Sequence, residues 1–171
     1  LLLGGVTGVA PARVLVLGAG VAGVQATRMA AGAGAEVSVV NRSLARLRTL
    51  EAQLPGRIRT RPSTHAAIEE EIASADVVVG AVLVAGASTP KLVTRAMLGT
   101  MKPRAVIIDV SIDQGGCCET SRPTTHAEPT YEVDDIVHYC VANMPGAVPR
   151  TSSHALNLAT LPYGLALAER G

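Results

Sequence analysis

The chain is 171 residues long, the size of one domain, or of one domain with a piece of another, against the usual ~100–200 residues. Hydrophobic residues at 48% and charged residues at 17% suffice for a buried core, which excludes an intrinsically disordered chain. Aromatics at 2% leave almost nothing for base stacking, and 15 Lys+Arg against 14 Asp+Glu, a net charge of +1, point to no polyanion partner, so nucleic acid is not expected.

Leu1-Leu2-Leu3 lacks a basic flank and runs into Gly4-Gly5, which reads as an incoming linker and not as a signal peptide. Arg13-Val14-Leu15-Val16-Leu17 predicts a strand ending at Gly18, then a helix to about Ala33 that Gly34 stops. Residues 37–40 form the next strand, and Ser43 caps a helix to Gln53 that Pro55-Gly56 breaks. Ile58-Arg59-Thr60 is short and polar, as at a sheet edge, where the alternating Arg57, Arg59 and Arg61 block further pairing. Residues 65–75 read as a helix capped by Ser63 or Thr64, with Glu69-Glu70-Glu71 as a solvated face. An apolar strand over 76–82, a helix over 91–98 and a buried strand over 105–110 follow. A Gly/Pro/Thr-rich loop covers about 113–130, and residues 137–141 make the last strand. Residues 150–170 form one helix capped by Thr151 or Ser152, with a kink expected at Pro162. Alternating strands and helices, each strand continuously apolar, give an α/β fold: a doubly wound parallel sheet with helices on both faces.

Gly18-Ala19-Gly20-Val21-Ala22-Gly23 is a GxGxxG turn that directly follows a strand and opens a helix, the setting of a dinucleotide-binding, Rossmann-type unit. Gly18 permits the tight turn, Gly20 lets backbone approach a pyrophosphate, and Gly23 lets helix close on strand. The phosphates would meet the free N–H groups and positive end of the helix starting near Val21. About twenty residues on, where an NAD site carries an acid for the ribose, this chain has Asn41-Arg42-Ser43. Without that carboxylate, Arg42, helped by Arg46, could pair with a 2′-phosphate, which points to NADP; alternatively Asn41 bonds the ribose of NAD and both arginines are solvated. At the other strand ends, Val82-Leu83-Val84 offers an apolar wall, Ser111-Ile112-Asp113-Gln114-Gly115-Gly116 a carboxylate beside two glycines, and Ala142-Asn143-Met144-Pro145 an amide before a proline.

The chain resembles the nucleotide-binding domain of the alanine dehydrogenase/transhydrogenase family over essentially its whole length. The most specific segments are Ile112-Asp113-Gln114-Gly115-Gly116-Cys117, Ser121-Arg122-Pro123-Thr124-Thr125 and Tyr139-Cys140-Val141-Ala142-Asn143-Met144-Pro145, with Pro90-Lys91-Leu92-Val93 in support. The proton-translocating transhydrogenases match these segments less well. The resemblance implies reversible oxidation of L-alanine to pyruvate and ammonium, in which hydride passes from Cα to a nicotinamide and water then displaces ammonia from an imine. It implies Asp113 as an active-site carboxylate beside a His of a partner domain. It also implies coenzyme contacts at Val21, Ala22, Asn41, Arg46, Ser63, Val82, Leu83, Val110, Ser111, Ile112, Asp113, Arg122, Val141, Ala142, Asn143 and Met144. The family's substrate-binding Arg and Lys and its catalytic His fall outside this segment. Residues 1–148 are thus expected to be the dinucleotide-binding domain and 149–171 a helix leading back to a missing catalytic domain, so that the chain binds coenzyme but does not turn over alanine. The family implies a homo-oligomer.

Cys117, Cys118, His126, His138 and Cys140 lack metal-ligand spacing, so no metal site is expected. His138 and Cys140 face one way on a strand as packing residues, while Cys117, on a Gly-flanked loop, is a candidate reactive thiol. Three cysteines without a disulfide pattern, and no apolar run long enough to span a bilayer, read as a cytoplasmic protein without a membrane partner. A stand-alone dinucleotide-binding or redox-sensing module, and a dehydrogenase of the same scaffold for another amino or imino acid, are the competing readings.

Overall fold

The computed structural model describes residues 1–84 and 86–170. The strands are β1 (Arg13–Leu17), β2 (Glu36–Asn41), β3 (Ile58–Pro62), β4 (Val77–Gly80), β5 (Val106–Asp109), β6 (Thr130–Val133) and β7 (Ile136–Tyr139). They form one sheet in the order β3-β2-β1-β4-β5-β7-β6. All neighbours are parallel except β6, which pairs antiparallel with β7.

Alternation along β1 divides the core. Val14 and Val16 point to one face, where helices α1 (Val21–Gly32) and α2 (Leu44–Gln53) bring Ala30, Ala31, Leu47 and Leu50. Leu15 and Leu17 point to the other, where α3 (His65–Ser74) and α4 (Arg95–Leu98) bring Ile68, Ile72, Met97 and Leu98. Burial of each such Leu or Ile contributes ~1.5–3 kcal/mol. This is the expected doubly wound layering. Ser43 and Thr64 cap α2 and α3 by accepting from the Arg46 and Ala67 amides, and Gly34 takes φ 87° just past the end of α1.

Four expectations need correction. The stretch 91–98 is helical only from Arg95, because the Leu92 and Val93 amides are drawn to the Cys117 carbonyl and Thr94 caps the shortened helix. The last strand spans Ile136–Tyr139 and not 137–141, and the foregoing loop ends in an unforeseen strand, β6. Asp134 and Asp135, with φ 51° and 62°, make the tight turn between them. Glu69-Glu70-Glu71 is not all solvated: Glu71 is buried and takes Arg59 and Arg61 at 3.3 and 3.0 Å, while Glu70 holds Arg61 at 2.7 Å. Cys117 is buried, and burial together with the nearby Asp109 charge pushes its thiol far above the ordinary range, so it is not a reactive nucleophile.

The final helix, α5 (Pro149–Arg170), continues through Pro162 and buries none of its residues. Leu156, Leu158, Leu161, Leu165 and Leu167 are all exposed on it. No helix among the described residues is long and apolar enough to cross a membrane.

Candidate functional site

A cavity of about 850 Å³ opens at the carboxyl ends of β1, β2, β4 and β5, where the strand order reverses between β1 and β4. Gly18, Gly20, Val21 and Ala22 line it. Gly18 has φ 106°, and a Cβ there would sit 2.5 Å from the Ala81 carbonyl oxygen. A Cβ on Gly23 would lie 1.9 Å from the Gly18 carbonyl oxygen, so this glycine seats α1 against the turn and does not face the cavity. A Cβ on Gly20 would meet nothing within 4 Å. That open backbone adjoins the N-terminus of α1, which no side chain caps, so the amides of the first turn are available to an anionic ligand.

Ala19 is buried, and its amide donates to Asn41 Oδ1 at 3.1 Å. Asn41 Nδ2 donates to the Ser43 carbonyl at 3.1 Å. The expected ribose-contact residue is thus also a brace between the glycine turn and the end of β2. Arg42 and Arg46 line the cavity mouth, exposed, and neither side chain makes an ion pair or hydrogen bond among the described residues. Ser63 lines the same end, held by its amide on the Asn41 carbonyl at 3.1 Å.

At the far end Val82, Leu83 and Val84 form the expected apolar wall, joined by Pro90 and Leu92. Ser111 ties this wall to the next strand: its Oγ accepts from the Val82 amide at 3.0 Å and donates to the Gly80 carbonyl at 3.3 Å. After β5 the chain makes a 3-10 turn, Val110–Gln114, that puts Val110, Ser111, Asp113 and Gln114 on the cavity and Ile112 in the core. Asp113 is exposed there, and its carboxylate has no hydrogen-bond partner among the described residues.

The remaining expected contacts lie away from the lining. Val141 is buried, and Ala142, Asn143 and Met144 follow β7 beyond the cavity wall. Asn143 is left-handed at φ 54°, and its carbonyl accepts from the Gly146 amide at 2.8 Å and from His126 Nε2 at 3.1 Å. The Arg122 guanidinium stacks 4.0 Å above the Tyr131 ring. His138 is a core residue, as expected: Nδ1–H donates to the Ile136 carbonyl, which leaves Nε2 to accept from the Thr120 hydroxyl at 2.7 Å, and burial lowers its pKa.

Sequence reasoning missed Asp109 and Lys91. Asp109 is fully buried at the end of β5, and Lys91 lies between the cavity-lining Pro90 and Leu92. The available signal was a charged residue closing an otherwise apolar strand, since carboxylates are rarely buried without partners.

The model of the family described as "Alanine dehydrogenase/PNT, C-terminal domain" matches residues 1–171. The chain is 61% identical over 171 residues to an alanine dehydrogenase of Halomonas elongata, covering 100% of this chain and 46% of that protein. A solved L-alanine dehydrogenase superimposes with a TM-score of 0.94 at 49% identity, over 99% of this chain and 47% of the other. A transhydrogenase from Sinorhizobium meliloti superimposes with a TM-score of 0.77 at 32% identity, over 91% of this chain and 45% of the other. The chain thus spans about half the length of the relatives it matches.

Proposed function

This chain belongs to the family of alanine dehydrogenase/PNT C-terminal domains, and from that premise we propose that it is the coenzyme-binding half of an NAD(P)-dependent L-alanine dehydrogenase. The observation that carries this reading is one cavity with an open, uncapped glycine turn at one end and an unpartnered carboxylate at the other. The residues present suit a nicotinamide dinucleotide. The Gly20 backbone and the first amides of α1 would receive the pyrophosphate, Asn41, Arg42, Arg46 and Ser63 the adenosine ribose, and Val82 and Leu83 the nicotinamide side. The bound nicotinamide would supply hydride acceptance from the alanine Cα. Asp113 Oδ, free of internal partners, would accept a hydrogen bond from the substrate ammonium or the attacking water and orient it. Arg122, Asn143 and Met144 would join the site from the β7 side.

Residues 1–148 would form the coenzyme domain, and α5 would lay its exposed leucines against the other half of the enzyme, which contributes the remaining catalytic groups. The unpaired Arg42 and Arg46 beside a neutral Asn41 favour NADPH over NADH. Titrating the purified chain with NADH and NADPH, followed by nicotinamide fluorescence, tests both points. Saturable binding without alanine turnover is expected, with NADPH the tighter ligand. Absence of binding to either coenzyme would overturn the reading, and tighter NADH binding would overturn the preference.

A further inference from the structure

The loop that carries Asp113 is held from two opposite sides by side chains that do not line the cavity. Inside, the Asp109 carboxylate collects hydrogen bonds from the loop's donors: Oδ1 from the Ser111 amide at 3.1 Å, and Oδ2 from the Cys117 amide at 2.8 Å, the Cys118 amide at 3.3 Å and the Ser121 hydroxyl at 2.6 Å. Its fit is close: a Cβ on Gly116 would come within 2.7 Å of Oδ2. Outside, Lys91 Nζ donates to the loop's acceptors, the carbonyls of Gly115, Gly116 and Cys118, at 2.5, 3.0 and 3.1 Å. Gly115 and Gly116 have φ 92° and 73°, a backbone reversal with no strand to satisfy its polar groups. Cys118 is gripped at both ends of its backbone, its amide by the carboxylate and its carbonyl by the ammonium.

This division of labour is specific to one face of the cavity. The Asp109 and Lys91 contacts are charge-assisted, stronger than neutral ones, and are spent on the loop between residues 111 and 121, all of them on its backbone except the Ser121 hydroxyl. Asp113 itself takes part in none of them. We infer that Lys91 and Asp109 are positioning residues, a cation for carbonyls and an anion for amides, which together fix the Val110–Gln114 turn so that Asp113 and the nicotinamide-facing backbone hold their place. This rests on the coenzyme reading above and adds to it two residues that would touch neither coenzyme nor substrate.

The test uses the 171-residue chain with two probes, NADH and ADP-ribose, the second sharing the adenosine diphosphate half and lacking the nicotinamide. Lys91→Met removes the outer grip at an exposed position, and Ser121→Ala removes one donor from the inner one. For Lys91→Met, NADH affinity is expected to fall about fivefold or more while ADP-ribose stays within about twofold, as the loss of charge-assisted contacts on one half of a site dictates. Ser121→Ala is expected to show the same split, smaller. Unchanged NADH binding in Lys91→Met, or a parallel fall for both probes, would overturn the inference and reduce both residues to general stability. A parent chain that binds ADP-ribose but not NADH would also overturn it while sparing the dinucleotide turn. A parent chain that binds neither would take the coenzyme reading down with it.

Discussion

The two ends of the cavity are built by different means. The glycine-turn end is made mostly of backbone: three glycines, an uncapped helix start and one amide brace, with its parts within about a βαβ unit of one another, Ala19 and Asn41 being 22 residues apart. The far end is made of side chains reaching across the sequence to hold a loop, with Lys91 bonded 24 to 27 residues away and Ser111 29 residues away. A turn that must admit a phosphate needs empty space and free amides, which glycine supplies locally. A loop that must present one carboxylate needs its other polar groups neutralised, which requires ions placed by the tertiary fold.

The largest effects are expected at the glycines. Gly23→Ala forces a Cβ to 1.9 Å from the Gly18 carbonyl oxygen and should cost ~1–3 kcal/mol, a fall of roughly 5–10 °C in melting temperature, with loss of coenzyme binding. Gly20→Ala meets open space. Its melting temperature should stay within about 2 °C of the parent while NADH affinity falls about tenfold, because only the ligand's approach is obstructed. If the two variants behave alike in thermal melts and titrations, the turn is a structural element without a phosphate role.

Next in size is Asn41→Asp. An aspartate oxygen can still accept from the Ala19 amide, but the carboxylate cannot donate to the Ser43 carbonyl and, in the proposed binding mode, would repel a 2′-phosphate. NADPH affinity should drop about tenfold and NADH less than about threefold, with ~0.5–1.5 kcal/mol of stability lost with the Ser43 bond. Paired titrations and melts would measure both. Equal losses for the two coenzymes would show that Asn41 acts only as a brace.

The smallest effect lies under the opposite end of the sheet, at Asp76. Burial works to raise its pKa, but hydrogen bonds from the Arg13 amide and Lys102 Nζ, both 2.8 Å, prevail and hold it below the ordinary aspartate value. A carboxyl depressed in the folded state stabilises the fold above its unfolded pKa and loses that contribution as pH falls through the folded one. Asp76→Asn should therefore melt lower than the parent at neutral pH, and the gap should close in acid. A gap constant with pH would contradict the sign.

Most of the architecture was legible because periodicity and caps are local. β1 matched residue for residue, and Ser43 and Thr64 announced their helices. The errors came where distant partners override local preference: the 91–94 stretch gave up helix to pair with Cys117 and Cys118, and Glu71 was drawn inward by Arg59 and Arg61. The same holds for the site. Gly20 and Asn41 could be found from spacing alone, whereas the meaning of Asp109 depends on four donors that only the fold assembles around it.

The three thiols offer a practical use of this packing. Cys117, Cys118 and Cys140 are all free and buried, and Cys117 and Cys118 belong to the clamped loop. A disulfide reagent added to native protein can label them only when that segment lifts, so the rate of colour development becomes a stopwatch for its excursions. Following that rate as coenzyme is added would record, without any catalysis, how firmly ligand shuts the far end of the cleft.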